Sequence, residues 1–339
     1  MCVHGSCVDL FQGYACRCNP GYEGKYCNLR GCVSGYKLLD DAMRCAPKGD
    51  SSCGQLLIDR SSYSKPKDGL LPWVMGGEVG KKGESPWQAL LLNARGKFHC
   101  GGVLIHESWV LTAAHCLENN LRFRVRLGEL TSLLRTPSND EGSEVTLKVE
   151  KVFKHPNYDS MSVDNDIALL RLQTPAPQTD YIVPVCLPGQ QMAERVLHLN
   201  GTLTVVSGWG KDDLNSTIYS SALNVIKVPL VDRSVCARQM SHNISDNVLC
   251  AGVLGQKMDA CEGDSGGPMV TLYRDTWFLL GLVSWGEGCG RVDKLGVYTK
   301  VSNYNEWITR VREDWDRTRG QQEPVRVRTA STHSGRSRP

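Results

Sequence analysis

Gly263-Asp264-Ser265-Gly266-Gly267-Pro268 sets one serine among three glycines. Glycine's backbone freedom lets such a turn aim the hydroxyl outward and leave bare N–H groups beside it, an arrangement suited to acyl transfer. A serine hydroxyl is a weak nucleophile at neutral pH and needs a positioned base. Leu111-Thr-Ala-Ala-His115-Cys116 offers a histidine behind an apolar run, anchored by the adjacent cysteine. Asp164-Asn-Asp166-Ile-Ala-Leu-Leu170 offers an acid leading into a second apolar run, where a buried Asp166 would accept the imidazole N–H and fix its tautomer. Each piece alone has an ordinary structural reading: a histidine beside a cysteine, a cap before a strand, a glycine loop. The three together, in the order His115, Asp166, Ser265, point to nucleophilic hydrolysis.

Around these motifs short β-type runs recur between turn signals: 102–105, 122–127, 145–153, 167–172, 203–208, 225–231, 277–285 and 297–301. Many short strands without helical spacers predict an antiparallel barrel or sandwich. The one clear helical pattern is late, at 304–311, where Trp307, Ile308 and Val311 share a face. Beyond it the chain turns basic, and 314–339 reads as a disordered tail.

Composition narrows the class further. The 339 residues carry 39 Lys+Arg against 36 Asp+Glu, a net +3, with 41% hydrophobic and 22% charged, which excludes wholesale disorder and a polyanion-binding chain. Nucleic acid is therefore not an expected partner. No run approaches the roughly 18 to 20 apolar residues of a membrane helix, so no direct membrane anchor is expected in this chain. Fifteen cysteines instead imply disulfides and an oxidising, extracellular compartment. Met1 runs straight into Cys2-Val3-His4, so the chain reads as a secreted protein whose signal peptide is missing. Asn-X-Ser/Thr sequons at Asn200, Asn215 and Asn243 agree with secretion.

Eight of the fifteen cysteines fall in the first 53 residues. Cys2, Cys7, Cys16, Cys18 and Cys27 are separated by four, eight, one and eight residues, and this stretch lacks the apolar residues for its own core. The spacing resembles an epidermal growth factor module entered after its first cysteine. That resemblance implies Cys2 paired with Cys16 and Cys18 with Cys27, leaving Cys7 without its partner. Cys32 to Cys45 resembles the last third of a second module, with those two cysteines paired. The expected organisation is a truncated module at 1–28, a remnant at 29–46, a linker or activation segment at 47–73, a catalytic domain at 74–313 and the tail.

Residues 74 to about 313 resemble the chymotrypsin-like serine proteases throughout, with Ser207-Gly-Trp-Gly210, Val283-Ser-Trp-Gly286 and Gly296-Val-Tyr-Thr299 where that family has them. The resemblance implies an all-β fold of two packed antiparallel six-stranded barrels with a C-terminal helix. It makes Ser265 the nucleophile, His115 the base, Asp166 its partner, and the N–H groups of Gly263 and Ser265 the oxyanion hole. It implies disulfides Cys100–Cys116, Cys236–Cys250 and Cys261–Cys289, and a Cys53–Cys186 bridge of the kind that keeps a light chain attached. Asp259 matches the floor of the primary pocket and Gly286 and Gly296 its open walls, which selects Arg, with Lys second because Ala260 offers no hydroxyl.

The growth factor modules and the run Asp259-Ala-Cys-Glu-Gly-Asp-Ser-Gly-Gly-Pro-Met269 are most similar to the vitamin K-dependent clotting proteases. This implies a zymogen, clotting cofactors as substrates, serpin-type inhibitors, no cofactor for catalysis and a structural calcium loop with Glu129 at one end and Glu144, or Asp140 or Glu141, at the other, a solvated acidic loop being its ordinary reading. Val74 stands where activation frees an apolar N-terminus to pair with Asp264. The residue before it is Trp73 rather than the Arg those relatives cut after. An unactivated decoy that binds cofactors or inhibitors is the alternative this raises.

Overall fold

The computed structural model describes residues 53–56, 78–118, 122–128, 143–211, 219–256, 260–261, 263–289 and 291–320, and the backbone of six short strands before them. Those six form three hairpins: β1 (Gly5–Leu10) with β2 (Gly13–Cys18), β3 (Tyr22–Glu23) with β4 (Leu29–Arg30), and β5 (Tyr36–Leu38) with β6 (Cys45–Pro47). Cys7 faces Cys16 in the register of the first hairpin.

Two closed barrels make up the catalytic region. The first contains β8 (Gln88–Leu92), β9 (Phe98–His106), β10 (Trp109–Thr112), β11 (Arg124–Leu127), β12 (Val145–Lys154) and β13 (Ala168–Leu172), joined in the order β10-β13-β12-β11-β8-β9. The second contains β14 (Leu203–Gly208), β15 (Asn224–Val231), β16 (Val248–Ala251), β17 (Pro268–Tyr273), β18 (Thr276–Trp285) and β19 (Gly296–Lys300), closed by pairing of β14 with β15. A two-residue strand, β7 (Glu78–Val79), adds to β15. Every pairing within both barrels is antiparallel, as the repeated short runs predict.

Side-chain alternation explains which strands were legible in the sequence. Along β12, Val145, Leu147 and Val149 pack on the first core while Thr146, Lys148 and Glu150 face solvent. The alternation slips where the register shifts between Val149 and Lys151, a bulge that re-aims the rest of the strand. β8, Gln-Ala-Leu-Leu-Leu, is buried at every position and shows no alternation. Ala89 and Leu91 fill the first barrel, whereas Leu90 and Leu92 pack with Trp209 and Leu223 of the second-barrel segments. A strand covered on both faces reads as a continuous apolar run, which cannot be told from a buried helix by periodicity. β17 was obscured by its leading Pro268, which has no N–H to give a ladder.

The terminal helix runs Asn305–Gly320, beyond the expected end at 311 and into the segment read as tail. Residues 313–319 contain no helix breaker, Asp314 and Arg317 form an ion pair one turn apart, and Arg317 and Arg319 complement the helix C-terminus. Residues 321–339 lie outside those described. No helix among the described residues is long and apolar enough to cross a membrane.

Candidate active site

His115 is placed by what precedes it. After β10 the chain continues through Ala113 and Ala114, both fully buried, and turns at His115–Leu117. A disulfide from Cys116 to Cys100 in β9 pins that turn to the barrel. Asp166, 1% exposed, immediately precedes Ile167 and β13. Its Oδ1 accepts the backbone N–H of His115 at 2.9 Å, and its Oδ2 lies 2.8 Å from His115 Nδ1. The imidazole is therefore held with Nδ1 donating and Nε2 left to accept. Burial pulls the His115 pKa down, but the hydrogen bond and charge of Asp166, with Glu118 adding, outweigh it, and the net shift is upward from 6.5.

Ser265 comes from the second barrel, just before β17. Its backbone oxygen accepts the N–H of Gly101 in β9 at 2.8 Å, so the serine turn is fastened directly to the first barrel. Cys116 Sγ lies 3.9 Å from His115 Nε2 and 3.8 Å from the Ser265 backbone oxygen, which brings histidine and serine together around one sulfur. No hydrogen bond joins the Ser265 hydroxyl to His115; such contacts are commonly looser before substrate arrives.

The glycines of the serine turn are there for space. Gly266 has φ +78°, and a Cβ on it would stand 2.3 Å from Thr112 Oγ1. Gly263 has φ +101°, a conformation side chains rarely adopt. The N–H groups of Gly263 and Ser265 donate to no backbone carbonyl among the described residues.

Two further glycines answer to Asp264. Its carboxylate accepts the Gly210 N–H at 2.7 Å and the Cys261 N–H at 2.9 Å. A Cβ at Gly208 would sit 2.0 Å from Asp264 Oδ1, and one at Gly210 would sit 2.4 Å from Oδ2. That is why Ser207-Gly-Trp-Gly210 carries side chains only at alternate positions. Gly210→Ala is expected to push Asp264 off these donors and distort the adjoining serine turn. Turnover should fall by about 10² to 10³, the loss of one oxyanion donor, with binding of benzamidine weakened in parallel.

Ser284 and Thr299 also hold Asp166, and neither was assigned a role from sequence. The Ser284 hydroxyl donates to Asp166 Oδ2 at 2.6 Å, and Thr299 Oγ1 donates to the Asp166 backbone oxygen at 2.8 Å. Their signal was present in Val283-Ser-Trp-Gly286 and Gly296-Val-Tyr-Thr299, which mark the family without saying what the hydroxyls touch.

Disulfides also join Cys53 to Cys186, Cys236 to Cys250 and Cys261 to Cys289. Gly54 next to the first of these donates to Pro184 O and accepts from Trp277 N–H, so the 53–56 segment is held by backbone as well as sulfur. Gly296 is buried opposite Ala251, and Gly286 is exposed at the end of β18. Asn200 and Asn243 are exposed, as is Glu144 beside β12. Asp259, Trp73, Val74, Glu129 and Asn215 lie outside the described residues, as do Cys2, Cys27 and Cys32; Cys16, Cys18 and Cys45 are described as strand backbone only.

This fold and the His115–Asp166 geometry define a chymotrypsin-type serine endopeptidase, and the trypsin family matches residues 74–308, so the chain belongs to that family. It is similar to vitamin K-dependent protein C of Rattus norvegicus, 43% identical over 349 residues, covering 91% of this chain and 74% of the relative. Vitamin K-dependent protein C of Oryctolagus cuniculus and of Mus musculus are each 42% identical over 348 residues, again across 91% of this chain and 75% and 74% of theirs.

Proposed function

We propose that the chain is the zymogen of a secreted endopeptidase that cleaves after Arg, and after Lys second, and that inactivates clotting cofactors. The observation that carries this is the placement of His115 between a buried Asp166 and the Ser265 turn. Ser265 Oγ would attack the scissile carbonyl while His115 Nε2 takes its proton and returns it to the leaving amine. Asp166 would stabilise the imidazolium, and the N–H groups of Gly263 and Ser265 would receive the oxyanion. These steps use side chains and backbone alone. Asp259 would supply the anionic pocket floor. Similarity to protein C supports extracellular action, cofactor substrates, serpin-type inhibitors and a structural calcium held through Glu129 and Glu144.

Activation would free Val74, whose ammonium would pair with Asp264. Breaking such a buried pair from one side costs roughly 3 to 5 kcal/mol, enough to keep the uncut chain silent. Trp73 directs this cut to a protease with an aromatic preference. The test is to treat the secreted chain with a chymotrypsin-like protease, sequence the new terminus and assay Arg and Lys peptides. A Val74 terminus with Arg turnover supports the proposal. Correct cleavage of a folded sample without turnover would sink it and leave a decoy.

A further inference from the structure

The two barrels meet at a second polar contact beside the triad, centred on Asp164. Asp164 lies between Val163 at φ 55° and Asn165 at φ 54°. Two left-handed residues so close together, one of them β-branched, are costly and persist only where surroundings over-determine them. The surroundings here come from the other barrel. Ser245 Oγ donates to Asp164 Oδ1 at 2.8 Å, and Asn247 Nδ2 lies 3.2 Å from each Asp164 oxygen. Ser245 and Asn247 belong to the loop that leads into β16, and Asn247 is itself held by Asn303 Nδ2 at 3.2 Å.

The same contact reaches the triad through the backbone. Asn165 Nδ2 donates to Asp164 Oδ2 and to Asn157 O, and Tyr304 O–H donates to Asn165 Oδ1 at 3.3 Å. Asn165 O accepts the Ile167 N–H at 2.8 Å, closing a tight turn around Asp166. We propose that Asp164 is a positioning residue for catalysis, whose clasp by Ser245 and Asn247 holds the strained 163–165 turn and thereby aims Asp166 at His115. The inference rests on the catalytic reading above and adds a residue that touches neither substrate nor the reacting atoms.

Releasing the clasp lets Val163 relax and moves Asp166, and misplacement by about 1 Å costs on the order of 10²-fold in rate. In the full chain cleaved after Trp73, Asp164→Ala is expected to lower kcat by that factor with KM little changed. Asp164→Asn keeps one acceptor oxygen for Ser245 and Asn247 but sets its NH₂ against Asn165 Nδ2, so it should recover only part of the loss. Ser245→Ala with Asn247→Ala removes the clasp from the opposite side, so it should give the same fall, with no further loss on adding Asp164→Ala. It also serves as the test if Asp164→Ala does not fold. In the uncleaved chain, the low-field Nδ1 proton resonance of His115 should move upfield in the same variants. Unchanged kcat and an unmoved resonance in folded variants, or losses that multiply, overturn the proposal. A wild type without turnover defeats the catalytic reading instead, while the resonance still reports on Asp164.

Discussion

Ser265→Ala, in chain cleaved after Trp73, is expected to lower kcat on Arg peptides by about 10⁶-fold, because triad members act as a unit and losing the nucleophile removes nearly all of their joint effect. KM should change little, since the hydroxyl contributes almost nothing to binding before the transition state. The fold should be unaffected. What fastens this turn is the Ser265 backbone oxygen on Gly101 and the Asp264 carboxylate on Gly210 and Cys261, and the substitution touches neither. Residual turnover above the uncatalysed rate would come from the oxyanion donors and substrate binding. Steady-state kinetics with an active-site titrant checks this; a variant retaining a tenth of the activity would exclude Ser265 as nucleophile.

Asp166→Asn is expected to cost about 10⁴ in kcat, the effect of a wrong histidine tautomer in a Ser-His-Asp triad. Three donors converge on this carboxylate: the His115 backbone N–H on Oδ1, and His115 Nδ1 and the Ser284 hydroxyl on Oδ2. An asparagine has one acceptor oxygen, so either orientation sets its NH₂ against a donor. With the amide turned toward Nδ1, the imidazole must carry its proton on Nε2 and can no longer accept one from Ser265. The pH dependence should shift too. In the wild type, Asp166 lifts the His115 pKa above 6.5 against the effect of burial, so the acid limb of kcat/KM lies above 6.5. Without the carboxylate, burial prevails and the limb moves below 6.5. A pH profile of kcat/KM, or titration of the His115 ring proton by NMR, reads the direction of this shift.

The fold was legible where one strand face is wet, as in β12, and also where a short apolar run stands between turn signals, as in β14, β18 and β19, which are buried on both faces. β12 and β15 alternate enough to be found, and β14 was located at its observed bounds, 203–208. β8, β16 and β17 were not found, since no alternation marks these runs and a proline leads β17, while β10 was met only as the apolar run before His115. The terminal helix was found by its apolar face, and its last turns were missed because the charges that support them also resemble a solvated tail.

The chemistry of the site shows the same division. Sequence determined the kinds of group available: a serine in a glycine turn, a histidine behind buried alanines, and an acid entering an apolar strand. These are local facts, set by residues a few positions apart. Tertiary structure alone decided that Ser284, 118 residues from Asp166, shares its carboxylate with His115. It also decided that Gly208 and Gly210 make room for Asp264, and that Asp164 is clasped by a serine 81 residues away. Such contacts depend on where two closed barrels bring their rims together, and backbone periodicity carries no information about that meeting.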